Sequence, residues 1–280
     1  MKSDIVKIYF HGKEGILMRV VFGMPTLIEL SDISDNFELC KELGLKFIEI
    51  NMNLPQYQID TFPIERCKKL MDKYNIFITI HLDENLNICD FNRAVANAYL
   101  DTVLSTIDIA KELSAPIINM HLSKGVYFTL PNEKIFLYEK YCDFYLETMT
   151  KFRSKCETAI ETSDISICIE NCDMFYDFQK TGIEMLLESP VFGLTHDIGH
   201  DYSAGNINEN FIIKHMNRLM HMHIHDATRT KNHLILGTGE IDMQTALQVA
   251  LQNNCRCVLE TKTVAGLQQS VLYLKQVGFI

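Results

Sequence analysis

From Met18 onward, short runs rich in Ile, Val, Leu and Phe alternate with longer stretches whose apolar side chains return every three to four positions. The first pattern predicts strands and the second amphipathic helices. Strands are expected at Arg19–Gly23, Lys46–Asn51, Phe77–Leu82, Ile117–Leu122, Ile165–Asn171, Val191–Asp197, Leu219–Asp226 and Cys255–Glu260. Helices are expected at Ser34–Gly44, Pro63–Tyr74, Asn92–Leu113, Asn132–Thr162, Tyr176–Glu188, Asn208–Asn217, Met243–Asn253 and Gly266–Val277. Strand and helix in regular alternation is the signature of parallel βαβ units. Eight such units close most simply into one barrel, because closure leaves no sheet edge exposed. The expected fold is α/β, a single (β/α)8 TIM barrel over residues 18–280, with residues 1–17 as an N-terminal extension outside the eightfold pattern.

The polar positions inside the strands then become informative. Side chains alternate across a strand, so in Ile165-Ser166-Ile167-Cys168-Ile169-Glu170 the isoleucines share one face and Glu170 lies on the other, inward one. The same alternation turns His81 inward with Thr79, His121 with Asn119, and Asp197 with Thr195. His221, His223 and His225 share a face, whereas His196 is expected to face the helices. Barrel active sites are built at the C-terminal ends of the strands. Strands three to eight end in His81, His121, Glu170, Asp197, His223 or His225, and Glu260, all of metal-ligand type. Inward carboxylates without partners would be costly and would repel one another, and a divalent cation removes both problems. Mixed imidazole and carboxylate donors suit Zn, Mn or Co better than Mg or Ca, which prefer oxygen alone. His200, three residues past Asp197 across a short turn, and His233, in the loop after strand seven, are further candidates at the same mouth. Arg229 and Lys231 in that loop could meet a substrate. Gly237 and Gly239 there lack the third glycine and the setting of a dinucleotide fingerprint and read as a loop turn.

Composition narrows the picture without redirecting it. A length of 280 residues suits one barrel and leaves little room for a second domain. The absence of a long apolar run and of a signal-peptide pattern in Met1–Leu17 argues against a membrane segment and for a cytoplasmic location. Nine cysteines at irregular spacing are expected to be packed, reduced thiols. A net charge of −10 gives no whole-molecule attraction to nucleic acid. Assembly into a homo-oligomer is left open.

Ile169-Glu170-Asn171, Thr195-His196-Asp197-Ile198-Gly199-His200, Met222-His223-Ile224-His225-Asp226, the stretch His233 to Asp242, and Leu259-Glu260 together resemble the xylose isomerase-like barrels. That superfamily includes sugar-phosphate isomerases and epimerases and the metal-dependent apurinic-site endonucleases. For the epimerases, the resemblance implies one metal held by Glu170, Asp197, His223 and Glu260, with the two Glu residues exchanging protons with substrate and His200 and Arg229 binding it. Tyr176 departs from the pattern, standing where ketohexose 3-epimerases carry a substrate-binding Glu. For the endonucleases, the resemblance implies further zinc ligands at His81, His121, His200 and His233, with Lys231 in the place of a ninth, an Asp. The expected activity is metal-dependent isomerisation or epimerisation of a small sugar, sugar phosphate or related compound through an enediolate. The alternatives are a zinc-dependent endonuclease-like phosphodiesterase and a non-catalytic sugar-binding barrel.

Overall fold

The computed structural model describes residues 20–280. The proposed 1–17 extension and the start of the first expected strand lie outside the described residues. Eight parallel strands close into a barrel: β1 (Val21–Pro25), β2 (Phe47–Asn51), β3 (Phe77–His81), β4 (Ile117–His121), β7 (Ser166–Glu170), β8 (Phe192–Asp197), β9 (Leu219–Ile224) and β12 (Arg256–Leu259). Around the barrel they run β1-β12-β9-β8-β7-β4-β3-β2. The (β/α)8 expectation holds.

Two antiparallel hairpins depart from the expected pattern. The first pairs β5 (Tyr127–Thr129) with β6 (Lys134–Phe136). The expected helix at Asn132–Thr162 therefore begins only with α4 (Leu137–Lys140) and α5 (Cys142–Ile160). Packing overrides local pattern here, since the Tyr127 and Phe136 rings meet at 5.3 Å across the hairpin. The second pairs β10 (Asp226–Thr228) with β11 (Lys231–Leu234), so the loop expected around His233 is partly strand. Both Asp226 carboxylate oxygens organise its return, accepting the N–H groups of Ala227, Gly237, Gly239 and Ile241 at 2.8–3.2 Å.

The remaining helices are α1 (Ile33–Glu42), α2 (Ile64–Tyr74), α3 (Arg93–Leu113), α6 (Asp177–Leu187), α7 (Ile198–Ser203), α8 (Glu209–Lys214), α9 (Met243–Gln252) and α10 (Val264–Gln276). Side-chain caps start several of them: Asp32 accepts Ser34 N–H, Asn92 accepts Ala94 N–H, and Thr263 accepts Gly266 N–H. The helix expected at Asn208–Asn217 ends at Lys214 and passes into a 3-10 turn at Met216–Arg218.

The outward strand positions, including Ile48, Ile50, Ile78, Ile80, Ile167 and Ile169, are completely buried against the helices. Each such side chain stabilises the fold by about 1.5–3 kcal/mol through apolar area removed from water. The inward positions are different. Low in the barrel Phe47 stacks on Phe77 at 5.1 Å. Above them the filling is polar and hydrogen-bonded: Glu49, Thr79, Asn119, Thr195 and His221, all inaccessible or nearly so. The register sets the strand ends level, with His121 opposite Glu170 and Asp197 opposite His223. All nine cysteines are free, seven of them buried, as expected of packed thiols.

Gly23 on β1 has no room for a side chain, because a Cβ there would lie 2.5 Å from the Phe47 ring. Gly23→Val is expected to overpack this layer and cost at least about 1–3 kcal/mol. Urea denaturation would check this; an unchanged midpoint would show that the layer is loosely packed.

Candidate metal centre

Four strand ends supply the centre because alternation and register bring their last inward side chains to one level. Glu170, Asp197, His223 and Glu260 each offer a donor atom within 4.8 Å of the others. Their common point is His223 Nδ1, which lies 3.0 Å from Glu170 Oε1, 3.4 Å from Glu260 Oε2 and 3.9 Å from Asp197 Oδ2. His223 is 1% exposed in its side chain, and neither of its ring nitrogens has an aligned hydrogen-bond partner among the described residues. A buried, unaligned ring nitrogen facing three carboxylates is a donor set that fits a divalent cation.

Each carboxylate is held from behind. Asn119 Nδ2 donates to Glu170 Oε2, and Asn119 Oδ1 accepts from Thr195. Asp197 caps α7, its Oδ1 accepting His200 N–H at 2.7 Å. The expected turn between these two residues is thus the first turn of a helix. Gly199 allows this, since a Cβ there would fall 1.9 Å from the His225 ring. Glu260 keeps Oε2 toward His223 while Oε1 meets Lys262 Nζ at 2.7 Å.

The outer set falls into two groups. His81 Nε2 and His121 Nε2 both approach Glu170 Oε2, at 3.4 and 3.1 Å. On the other side, the rings of His200, His225 and His233 lie 4.2–5.5 Å apart. Hydrogen bonds decide the tautomers there. His233 N–H donates to His225 Nδ1 at 2.8 Å, so the His225 proton sits on Nε2, facing Asp197 at 3.1 Å. His225 is thereby a support for Asp197. His233 Nδ1 donates to the Glu260 carbonyl at 3.1 Å, which leaves Nε2 as its lone pair. Arg229 lies against Tyr202, stacked at 4.3 Å and donating to its carbonyl. His196 turns outward to Asp201 on α7.

Two residues at the centre lie outside the set that sequence reasoning singles out: Lys262, in the loop after β12, and Glu49, in the middle of β2. For Glu49 a signal exists, a single carboxylate between Ile48 and Ile50 on the inward side of a strand.

Burial disfavours charge on Glu170, Glu260, His81 and His233, and proximity overrides it at the first three. Burial raises the Glu170 pKa, yet the His223 and His121 imidazoles hold it well below the usual carboxylate range. Glu260 is depressed in the same way, chiefly by His223. Burial lowers the His81 pKa, but Glu170 beside it lifts it to about 9. Burial takes His233 down to about 4. A histidine raised in the folded state contributes stability that is complete below its unfolded value and lost as pH rises through the folded one. The metal-free protein is therefore expected to lose stability as pH rises from about 6.5 to about 8, below the range where thiols ionise. Urea titrations in EDTA would read this, and stability that is flat or rising across that window would contradict the charge pattern.

The chain matches the family described as xylose isomerase-like TIM barrel over residues 37–277. A relative from Methanocaldococcus jannaschii, the uncharacterized protein MJ1311, is 26% identical over 239 residues, covering 81% of this chain and 78% of that one. Among solved structures, a D-tagatose 3-epimerase-like protein superposes with a TM-score of 0.75 at 22% identity, covering 92% of this chain and 96% of its own. The E. coli 3-keto-D-glucoside 4-epimerase YcjR superposes at 0.73 and 15% identity, covering 92% and 100%. A Thermus thermophilus protein, TTHB071, soaked with ZnCl2, superposes at 0.67 and 19% identity, covering 93% and 98%.

Proposed function

Because this chain belongs to the xylose isomerase-like TIM-barrel family, we propose that it is a divalent-metal-dependent isomerase or epimerase of a small sugar, sugar phosphate or related polyhydroxylated carbonyl compound. The observation that carries this reading is the placement of Glu170 and Glu260, which approach the same ring nitrogen of His223 from two different strands. Two carboxylates that flank one point can remove a proton from one side of a bound carbon and return one from the other. The epimerases among the structural neighbours are consistent with such chemistry.

Glu170, Asp197, His223 and Glu260 would hold the ion, with Zn, Mn or Co best suited to one imidazole and three carboxylates. When bound, the ion supplies electrophilic stabilisation of the oxyanion that develops on the substrate. The protein's own groups do the rest. Asn119 and His121 fix the Glu170 carboxylate, and Lys262 fixes that of Glu260. The imidazoles of His200 and His233, together with Arg229, offer hydrogen bonds to substrate hydroxyls at the rim. Both glutamates stay ionised near neutral pH, the state a proton acceptor needs, and the one that returns a proton must first take one up from water.

Glu170→Gln and Glu260→Gln are each expected to lower turnover by at least about 100-fold. The assay is deuterium incorporation from D2O into a panel of ketoses, aldoses and their phosphates. Near-normal exchange by both variants would remove the two-carboxylate assignment.

The approach of His81 and His121 to Glu170 favours a second reading, a multi-metal phosphodiesterase. Lys231, exposed on β11, stands against it, since the resemblance places an acidic ligand there. Elemental analysis of the purified protein is expected to give one ion per chain, with no nicking of apurinic-site DNA. Two or three ions accompanied by nicking would reverse the order of the two readings.

A further inference from the structure

Below the mouth lies an ionised group that the proposed proton transfers do not use. Glu49 is only 2% exposed, and each of its carboxylate oxygens faces an imidazole nitrogen. Oε1 lies 2.8 Å from His223 Nε2, at ion-pair distance but off the hydrogen-bond axis. Oε2 accepts from His221 Nε2 at 2.8 Å and from Thr79 Oγ1 at 3.2 Å. The two histidines and Glu49 form a compact buried group one inward position deeper than the metal centre. Burial raises the pKa of Glu49, but the two imidazoles outweigh it and hold the carboxyl well below the usual range.

The geometry constrains His223. An imidazole offers a lone pair from one nitrogen only when the proton sits on the other. Nδ1 faces Glu170, Asp197 and Glu260, so serving as a ligand there requires the proton on Nε2. A proton on Nδ1 would instead leave the Nε2 lone pair 2.8 Å from a carboxylate oxygen, a repulsive contact. Ligating histidines are commonly oriented by a carboxylate at their far nitrogen, which fixes the tautomer and strengthens the donor.

We propose that Glu49 is a positioning residue of the metal centre: it keeps the His223 proton on Nε2 and so presents Nδ1 as a lone pair to a divalent cation. His221 and Thr79 hold the second oxygen of Glu49 and thereby set its angle to His223. This inference rests on the metal-binding reading of the mouth, whatever the substrate.

The test is calorimetric titration of metal-stripped full-length protein with ZnCl2. Glu49→Leu removes the acceptor and is expected to weaken zinc binding by about 10–100-fold. Glu49→Gln keeps a carbonyl oxygen able to accept from Nε2 and is expected to recover part of that loss. Zinc affinity of Glu49→Leu within about threefold of wild type would overturn the assignment. A readout independent of any variant's folding is the long-range proton–nitrogen NMR spectrum of zinc-loaded wild type. It is expected to show the His223 proton on Nε2, and a proton on Nδ1 would overturn the inference. If the wild type takes up no zinc at all, the metal-centre reading itself falls and this inference with it. Normal uptake by wild type and Glu49→Leu alike removes only the role of Glu49.

Discussion

A carboxylate taken out of water must find positive charge and hydrogen-bond donors or give up its ionisation. This barrel takes four of them inward, Glu49, Glu170, Asp197 and Glu260, and much of its interior answers that requirement. His223 is the shared partner, touched from below by Glu49 and from above by the other three. Asn119, Thr195, His121 and His225 are in turn committed to holding the carboxylates. The hydrophobic work has moved outside, to the isoleucine layer between strands and helices. That division explains how a stable barrel can carry a polar middle: the area that stabilises the fold and the inward carboxylates and imidazoles lie on opposite faces of the same strands.

Much of this is legible in the sequence, for a physical reason. Where Ile165, Ile167 and Ile169 declare the outward face, the inward direction of Glu170 follows from a period of two. The parallel register then levels the strand ends without any residue having to be tuned for it. Glu49 is harder to find because it sits in mid-strand, hidden by Asn51 at the strand's end, and its importance comes from His221 and His223, the first of them 172 residues away. His225 shares the alternation of His221 and His223, but the backbone leaves β9 after Ile224 and carries its ring to Asp197 instead. The first hairpin defeats local reading because Glu and Lys near Asn132 favour helix, whereas aromatic contact across Tyr127 and Phe136 decides the outcome.

The short helix α7 and the second hairpin show how loops refine what the strands begin. Asp197 is at once an inward side chain and a helix cap, so its position is fixed by the backbone that follows it. Asp226 does similar work for the return of the hairpin, and with it for His233. Carboxylates at this mouth thus face two ways, some toward His223 and some toward the chain's own amides.

The pairing of Glu49 with His221 and His223 also bears on how the chain reaches its native state. β2 and β9 never hydrogen-bond to each other, because β1 and β12 stand between them on one side of the ring. A chain that has assembled only its first half has Glu49 without His221 or His223, and one that has assembled only its second half has His221 without Glu49. Desolvating either half alone is unfavourable, so closure and charge pairing arrive together. Contacts this distant in sequence are slow to form, and the approach of Glu49 to His221 and His223 exists only in the completed ring.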